Sequence, residues 1–307
     1  MPPSILAVVA LYNCELAQSQ SASSLFQILN ENPDLAKHFS LVIYDNSPQP
    51  QSHAMPADFP THYVHDPLNG GLASAYNFAL ARAESEPREW LLLLDQDTSL
   101  TREFLNELVE TISTLRAQPT VAAIAPKLLV HGVIHSPASP FIDQMRRQFL
   151  RPKQAIARDV VGVQQQPLFP YNSGSAIRVS TLRSIGGFPP EFWLDFLDHA
   201  VFQALFIRGY RLYVMLATLA HDSSYADLDS MPVWRLHNVL MAQTLYLKRY
   251  GNFIDQLLYR AWLLRHSRAL RRTCKNPRMW KEAMLQALLF RTPTGPRPGV
   301  QPPLIPP

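Results

Sequence analysis

Five apolar residues are followed at once by two carboxylates in Trp90-Leu91-Leu92-Leu93-Leu94-Asp95-Gln96-Asp97. The apolar run is too short and ends too sharply for a helix, so it predicts a buried parallel strand. Open α/β sheets bind ligands outside the carboxyl ends of such strands. One carboxylate there can meet a sugar hydroxyl and the other a divalent cation, which favours oxygen ligands and is often shared with phosphates. Taken alone, such a pair more often belongs to a solvated loop.

Strand-like and helix-like segments alternate on both sides of this run. The predicted strands are 5–10, 41–44, 63–64, 121–125, 172–177 and 212–215, and the predicted helices are 16–32, 72–84, 101–116 and 195–207. This alternation is typical of an α/β fold with a mostly parallel, nucleotide-binding sheet. Residues 131–170 are rich in Pro, Gln and Arg and predict loops and edge strands around an acceptor site.

The composition predicts a globular protein of a reducing compartment. Hydrophobic residues make up 47% and charged residues 17% of the 307 residues, enough for a sizeable core. Cys14 and Cys274 have no spacing that suggests a metal site or redox pair, which fits a reduced, cytoplasmic protein. The first residues do not resemble a secretion signal, and no apolar window is long enough to span a membrane. If a membrane matters, we expect the protein to lie against it.

Three segments are expected along the chain. Residues 1–230 carry the α/β alternation, and residues 231–291 have helical periodicity with many Arg, His and Lys. Residues 292–307 are proline-rich and predict a disordered tail.

Polar groups follow four of the predicted strands. They are Tyr12-Asn13, Asp45-Asn46, Asp95-Gln96-Asp97 and Asn172-Ser173-Gly174. Consecutive strands of a parallel sheet share one carboxyl edge, so these groups are expected to converge. For Asp45 alone a simple turn is the alternative, because Asp and Asn favour such positions.

An ordered series of motifs then carries a resemblance to a known family. It consists of Tyr12-Asn13, Asp45-Asn46-Ser47, Asn69-Gly70-Gly71-Leu72-Ala73 with Asn77, and Leu94-Asp95-Gln96-Asp97. The series resembles family 2 glycosyltransferases, which have the GT-A fold, a Rossmann-like nucleotide-sugar-binding fold. The Asp-Gln-Asp form, with 172–174 and 193–198, is most similar to their bacterial rhamnosyltransferase branch. The resemblance covers residues 4–225.

The resemblance implies a donor site at the sheet edge. Tyr12 would contact the nucleotide base, and Asp45 would accept a hydrogen bond from a uracil or thymine imide. The remaining nucleotide-sugar-binding residues would be Asn69, Gly70, Asn77, Asp95 and Asn172, with Asp95 near the ribose or donor sugar.

A divalent cation, Mg²⁺ or Mn²⁺, is implied on the donor diphosphate. Asp97 would hold it, and His221 would ligate it or reach the diphosphate. The alternative for His221 is a capping or core-edge histidine. The cation would offset the charge that builds on the leaving nucleotide diphosphate.

The family's inverting mechanism also needs a carboxylate that removes the proton of the acceptor hydroxyl. The candidates are Asp198, which the motif favours, and Asp195. Asp195 also suits the N-cap of the following helix. The chain departs from the family after this motif, because His199 and its neighbours stand where an acidic residue and an arginine are frequent. His199 is expected to be a helix-surface residue without a special role, and the alternative is that it substitutes for the missing contact to the diphosphate.

The stretch 262–272 places apolar and cationic residues close together on one helix. This suits a helix at an anionic membrane surface, with a solvated basic face as the alternative. The resemblance favours the membrane, because acceptors in that branch are often glycans on polyprenyl diphosphate at the inner leaflet. No nucleic-acid motif accompanies the charge, so a nucleic-acid partner is not expected.

The sequence therefore predicts an inverting, metal-dependent glycosyltransferase that moves L-rhamnose from dTDP-rhamnose to a surface polysaccharide or lipid-linked glycan. The alternatives are another donor such as a UDP-hexose, or a nucleotide-sugar-binding protein without turnover. A nucleotidyltransferase would have an N-terminal phosphate loop rich in Gly and Arg or Lys. Residues 9–14 do not have this composition. Donor, acceptor, linkage and oligomeric state stay open.

Overall fold

The computed structural model describes residues 2–51, 59–150, 159–221 and 231–293, with the side chains of 148–150 left undescribed. The chain folds into two compact units. Among the described residues, the sheet unit consists of 2–51, 59–138 and 159–221, and the helical unit of 139–150 and 231–293.

The sheet unit is built on one mixed sheet. Its strands are β1 (Ile5–Leu11), β2 (Phe39–Asp45), β3 (Thr61–His65), β4 (Trp90–Asp95), β5 (Thr98–Ser99), β6 (Val121–Val130), β7 (Val133–Ser136), β8 (Gly162–Val163), β9 (Ala176–Arg178) and β10 (Arg211–His221). Their order is β3-β2-β1-β4-β9-β6-β10-β5, with β7 added beside β6 and β8 beside β10. The predicted α/β class with a mostly parallel central sheet is confirmed.

The parallel half of the sheet forms because its strands are apolar on both faces. β1 pairs in parallel with β2 and β4, and β2 with β3. Every residue of β1 and β2 is buried, as is β4 up to Leu94. Strands that are covered on both faces have continuous apolar sequences, which explains why the short apolar run with its sharp end identified β4.

Helices cover this sheet and connect its strands. In the sheet unit they are α1 (Gln20–Glu31), α2 (Pro33–Ala36), α3 (Gly71–Ser85), α4 (Arg102–Thr114), α6 (Val179–Ile185) and α7 (Leu197–Ile207). Ser19 and Thr101 cap α1 and α4, since each hydroxyl accepts a backbone N–H three residues on.

Strand β9 differs from its prediction in length and direction. The strand expected over 172–177 begins only at Ala176, and it runs antiparallel to both β4 and β6. The start of this strand, not its end, therefore lies beside the carboxyl end of β4. Residues 172–174 lie at the expected edge because they precede an antiparallel strand, and not because they follow a parallel one.

Strand β10 contains a bulge that sets the position of its last residues. Its register with β6 shifts between Val214 and Thr218, where two additional residues lie on β10. The carboxylate of Glu107 on α4 accepts the backbone N–H groups of Leu216 and Ala217 at 2.7 and 2.8 Å. Beyond the bulge β10 pairs with β5, and His221 lies opposite Thr98.

The helical unit contains four helices among its described residues: α5 (Phe141–Leu150), α8 (Val233–Tyr250), α9 (Phe253–Thr273) and α10 (Pro277–Leu289). Helix α5 corrects the expectation that 131–170 holds only loops and edge strands. Arg146 on α5 donates two hydrogen bonds to the buried carboxylate of Asp255, at 2.6 and 2.8 Å, and so ties α5 to α9. Phe141 packs edge-on against Tyr246 and Tyr259.

No helix of the described ranges is long and apolar enough to cross a membrane. Residues 294–307, most of the predicted tail, lie outside the described residues.

Candidate active site

The loops that follow β1 and β4 are joined by the middle residue of the acidic motif. The Oε1 atom of Gln96 accepts the backbone N–H of Tyr12 at 2.9 Å, and Asn13 donates its backbone N–H to Ser47 at 2.8 Å. The Tyr12 side chain is 47% exposed, so its ring is available to a ligand. Gln96 therefore positions the predicted base-contacting residue through its backbone.

Asp45 lies at the predicted edge but is fully buried. Its carboxylate accepts hydrogen bonds from the backbone of Ser47 (2.9 Å) and Gln51 (2.8 Å) and from the Tyr63 hydroxyl (2.6 Å). Burial by itself would raise the pKa of Asp45, but these donors hold it below its usual value. Asp45 organises this loop, and a bound base would have to share a carboxylate that already has three donors.

Asp66 is a second buttressing carboxylate, which the motif reading missed. It accepts hydrogen bonds from the Tyr44 hydroxyl (3.0 Å) and from the backbone of Leu68 (3.0 Å) and Gly70 (2.9 Å). The signal was present in the sequence, since an Asp whose side chain bonds the backbone two residues on is a common turn former. Asp66 fixes the turn that contains Asn69.

The Asn69–Gly71 turn is locked against the chain before α7. Asn69 has a φ of 53°, and its carbonyl accepts the Trp193 indole N–H at 2.7 Å. Gly71 also has positive φ, its N–H donates to Asn46 Oδ1 at 3.0 Å, and a Cβ there would overlap the Trp193 backbone. Glycine is required at this close approach.

Asn77 lies on α3, away from this turn. Its amide nitrogen donates to the carbonyl of Phe188 at 2.7 Å, and its oxygen accepts the N–H of the same residue at 2.9 Å. The structure thus gives Asn77 the task of tying α3 to the turn before α7. The predicted contact with the nucleotide has to compete with these two bonds.

Asp95 ends β4 beside a buried phenol. Its Oδ1 accepts the Tyr76 hydroxyl at 2.8 Å, and its backbone N–H donates to Ser173 Oγ at 3.1 Å. The pKa of Asp95 is raised to about 6, chiefly by burial, against the lowering effect of the Tyr76 bond and with a further contribution from the charge of Asp198. Asp95 and Asp198 are therefore close enough to repel each other.

A third carboxylate, that of Asp97, belongs to the same cluster, as its effect on Tyr76 indicates. The Tyr76 side chain is fully buried. Burial and the charge of Asp95 raise its pKa well above the usual value, and Asp198 and Asp97 contribute in the same direction. Tyr76 therefore stays protonated as a donor. We call Asp95, Asp97 and Asp198 the acidic cluster.

Buried Thr98 connects the cluster to His221. Its Oγ1 is hydrogen-bonded to Ser173 Oγ at 2.7 Å and to His221 Nδ1 at 2.8 Å. The pairing of β5 with β10 places His221 there, and its Nδ1 lies 3.6 Å from Asp97 Oδ1. The two predicted metal-binding residues are thus brought together, and Thr98 is a contributor that the sequence reading did not single out.

The residues fit a divalent cation that is shared with a phosphate ligand. Within the described ranges no group of three or more His, Cys, Asp and Glu side chains could hold a metal by itself. Mg²⁺ usually takes only one or two protein carboxylates and completes its shell with water and substrate phosphates, and imidazole suits Mn²⁺ sites as well. Asp97 and His221 would supply that protein share.

Asp198 is held by the residue that follows it. Its Oδ1 accepts the backbone N–H of His199 at 2.7 Å and lies 3.1 Å from the ring Nδ1. The His199 ring packs between Phe196 and Phe169, with centroid distances of 4.6 and 6.0 Å. His199 is therefore a part-buried support of the predicted base, not the unconstrained surface residue that was expected.

Asp195 does not cap the helix. α7 begins at Leu197, two residues later than predicted, and its N-cap is Phe196, which has a φ of 62° and makes no side-chain cap. A left-handed backbone is costly for a bulky residue and marks a conformation that its surroundings enforce. Asp195 is buried, with 7% of its surface exposed.

Asn172 contributes a buried acceptor near Asp95. It is 5% exposed, it directly precedes Ser173, and its Oδ1 has no hydrogen-bond partner among the described residues. Buried polar atoms are normally satisfied, so such an oxygen suits a donor on a ligand.

Comparison with known proteins gives a match to one family model and a likeness to solved structures. Residues 7–157, close to half of the chain, match the model of the family described as Glycosyl transferase family 2. No curated protein matches the sequence. Among solved structures, S. aureus TarS 1–349 in complex with UDP-GlcNAc is similar at 13% identity and a TM-score of 0.55, over 92% of this chain and 81% of that one.

A second solved structure is the mannosyltransferase PcManGT from Pyrobaculum calidifontis in complex with GDP-Man and Mn²⁺. It is 16% identical with a TM-score of 0.53, over 94% of this chain and 81% of that one. At such identities the likeness shows a shared fold.

Proposed function

The chain belongs to glycosyl transferase family 2, and on that premise we propose that it is an inverting, metal-dependent enzyme that transfers a sugar from a nucleotide diphosphate to an acceptor hydroxyl. The observation that carries this proposal is the acidic cluster: the Tyr76 hydroxyl donates to Asp95, and the charges of Asp95, Asp97 and Asp198 all act on this buried tyrosine. Like charges at one site are unfavourable unless a ligand uses them.

Asp198 is the proposed base. It would accept the proton of the acceptor hydroxyl as that oxygen attacks the anomeric carbon and the nucleotide diphosphate leaves. The contacts with His199 are made by Oδ1 of Asp198. The other carboxylate oxygen would accept the proton of the acceptor hydroxyl. Asp195 is the alternative base, since it is buried close by in the chain.

The donor would occupy the edge formed by β1, β2 and β4. Tyr12 offers an exposed ring to the base, the turn at Asn69 and Gly70 borders the nucleotide, and Asp95 with Asn172 offers acceptors to sugar or ribose hydroxyls. Asp97 and His221 would hold Mg²⁺ or Mn²⁺ at the diphosphate. When bound, the cation offsets charge on the leaving group.

The proposed donor is dTDP-L-rhamnose. Its support is the Asp-Gln-Asp form of the motif and the similarity of 172–174 and 193–198 to the rhamnosyltransferase branch. A UDP-hexose or another UDP-sugar is the second candidate, because the structurally similar TarS was crystallised with UDP-GlcNAc.

The proposed acceptor is a surface polysaccharide such as an O-antigen, or its lipid-linked precursor. Transfer would then occur in the cytoplasm at the inner face of the plasma membrane, with residues 1–230 as the catalytic part and 231–291 as a basic extension in peripheral contact with lipid. The basic residues of α9 and α10 support this placement.

The test is release of nucleotide diphosphate from a panel of donors, measured with Mn²⁺, with Mg²⁺ and with EDTA. We expect slow hydrolysis of dTDP-rhamnose that needs the cation. Selective turnover of UDP-glucose or UDP-galactose would replace the donor but keep the reaction class. Binding of donors without release of any nucleotide diphosphate, with or without a glycan acceptor, would identify a non-catalytic binding protein instead.

A further inference from the structure

Helix α9 has one face that the helical unit buries. Asp255, Tyr259, Leu263, Ser267 and Leu270 are the buried residues, at spacings of three and four. This spacing keeps them on one side of a helix with 3.6 residues per turn. The opposite side is therefore turned to solvent.

That exposed side is unusually apolar in the first half of α9. Phe253 is 73%, Ile254 64% and Leu257 48% exposed, and Leu264 follows on the same side two turns later. An amphipathic helix of a globular protein normally has charged and polar residues there. Single exposed apolar residues need no explanation, but a group on one face does.

Helix α10 extends this apolar surface. Arg260 donates hydrogen bonds to the carbonyls of Ala287 (2.7 Å) and Leu288 (2.8 Å), so the end of α10 lies beside the first half of α9. Leu288 and Leu289 are 57% and 58% exposed there. We call Phe253, Ile254, Leu257, Leu288 and Leu289 the apolar end.

The second half of the same face is cationic. Arg265, Arg268 and Arg272 are exposed and follow Leu264 on the outer side of α9. Between Phe253 and Lys281 the sole acidic residue of the sequence is Asp255, which is 1% exposed and already paired with Arg146. Asp255 therefore contributes no acidic group to the exposed side of α9 beside Arg268 and Arg272.

We propose that the outer face of α9, together with the end of α10, binds the surface of a bilayer that contains anionic lipids. The apolar end enters the boundary between headgroups and acyl chains, while Arg265, Arg268 and Arg272 contact anionic headgroups. From Phe253 to Arg272 the face is about 28 Å long, so one helix can lie flat and make both contacts. A purely acidic partner surface would leave the apolar end unused, and a purely apolar surface would leave the arginines unused.

This inference deepens the membrane contact named in the proposed function, and it is tested without sugar transfer. The full chain is floated with vesicles of phosphatidylcholine alone or with about one third phosphatidylglycerol. We expect binding to the anionic vesicles, little to the neutral ones, and weaker binding in high salt. The double variant Arg268→Gln/Arg272→Gln should bind about 30-fold more weakly. The double variant Phe253→Ser/Leu257→Ser should bind the anionic vesicles at least about tenfold more weakly.

Matched controls remove an equally exposed apolar residue and an exposed arginine from the sheet unit, with Ile207→Ser and Arg102→Gln, and both should bind as the unchanged chain does. Thermal unfolding confirms that each variant is folded. Failure of the unchanged chain to bind anionic vesicles overturns the proposal. Binding by both double variants that equals that of the unchanged chain overturns it as well. A dimer in sedimentation that Phe253→Ser/Leu257→Ser dissociates, without vesicle binding, overturns it in favour of a second copy. Donor hydrolysis, measured without vesicles, should stay unchanged in both double variants, so the two proposals fail separately.

Discussion

The carboxylates in two halves of the same sheet edge differ in the number of hydrogen bonds they accept and in the direction of their pKa shift. Around β2 and β3, Asp45 and Asp66 each accept three hydrogen bonds. At the end of β4, Asp95 accepts one side-chain hydroxyl and lies within the field of Asp198. The pKa of Asp45 is lowered, whereas that of Asp95 is raised to about 6.

The difference distinguishes carboxylates that stabilise the fold from carboxylates that are available for binding or catalysis. A carboxylate with three donors stabilises the fold and offers little to a substrate. Carboxylates that share one site repel each other, which destabilises the fold until a cation or a hydroxyl donor binds. Stability and activity should therefore respond differently to mutations in the two halves.

The largest effect is expected for Asp198→Asn. Loss of the base should lower sugar transfer by about 10²–10⁴-fold, while donor affinity stays nearly unchanged and the unfolding free energy does not fall. Transfer is followed as nucleotide diphosphate release with acceptor, and donor binding by calorimetry. The matched variant is Asp195→Asn: if it is the more damaging of the two, the roles of the two carboxylates are exchanged.

On the scaffold side, Asp45→Asn should act chiefly on stability. An amide nitrogen would face donors that now bond a carboxylate, which should lower the unfolding free energy by about 2–3 kcal/mol. Denaturant unfolding measures it. Transfer per folded molecule should change less than tenfold, and a loss as large as that of Asp198→Asn would mean that Asp45 belongs to the chemistry.

Asp95→Asn should stabilise the protein at pH 8 in EDTA, by about 1 kcal/mol. The folded pKa of about 6 exceeds the unfolded value of about 3.9, so ionisation of Asp95 costs stability that returns as the pH falls through 6. The gain from the mutation should therefore shrink between pH 7 and pH 5, and the amide oxygen can still accept the Tyr76 hydroxyl. Thermal unfolding over this pH range is the measurement. A gain that does not depend on pH contradicts the electrostatic explanation.

The smallest effect is expected where the two halves meet, at Gln96. Gln96→Ala removes the acceptor of the Tyr12 N–H and should cost about 0.5–1 kcal/mol, with a few-fold rise in the KM of the donor. Gln96→Met also removes the acceptor but keeps the length of the side chain and adds no charge between Asp95 and Asp97, so it should match the loss of Gln96→Ala. A much smaller loss in Gln96→Met would show that the bond to Tyr12 is not the cause.

Local patterns in the sequence were sufficient for the parallel half of the fold. β4 and its acidic end were recognisable because strand burial, termination and the two carboxylates all lie within eight residues. The family assignment is confirmed, but the roles of the individual site residues and the rhamnose donor remain predictions.

The other half of the sheet, where β10 is parallel to β6 but β9 is antiparallel to both of its neighbours, could not be predicted in the same way. Nothing near Asn172 indicates that β9 runs against its neighbours, and nothing near His221 indicates that β10 ends opposite Thr98. Both depend on pairings between segments more than 70 residues apart in the sequence. The same holds for Asp45 and Asn77, because a motif shows which residue is present but not how many donors the fold directs at it.

The bulge in β10 makes part of the site depend on residue count instead of residue type. Leu216 is 69% exposed and is held through its backbone by Glu107, so its side chain is open to replacement. Removal of that one residue would be another matter, because consecutive side chains of a strand point to opposite faces. A single-residue deletion there would turn His221 away from Asp97, even though neither residue had changed. Leu216 is thus tolerant to exchange and intolerant to loss, a distinction that a catalogue of point substitutions would never reveal.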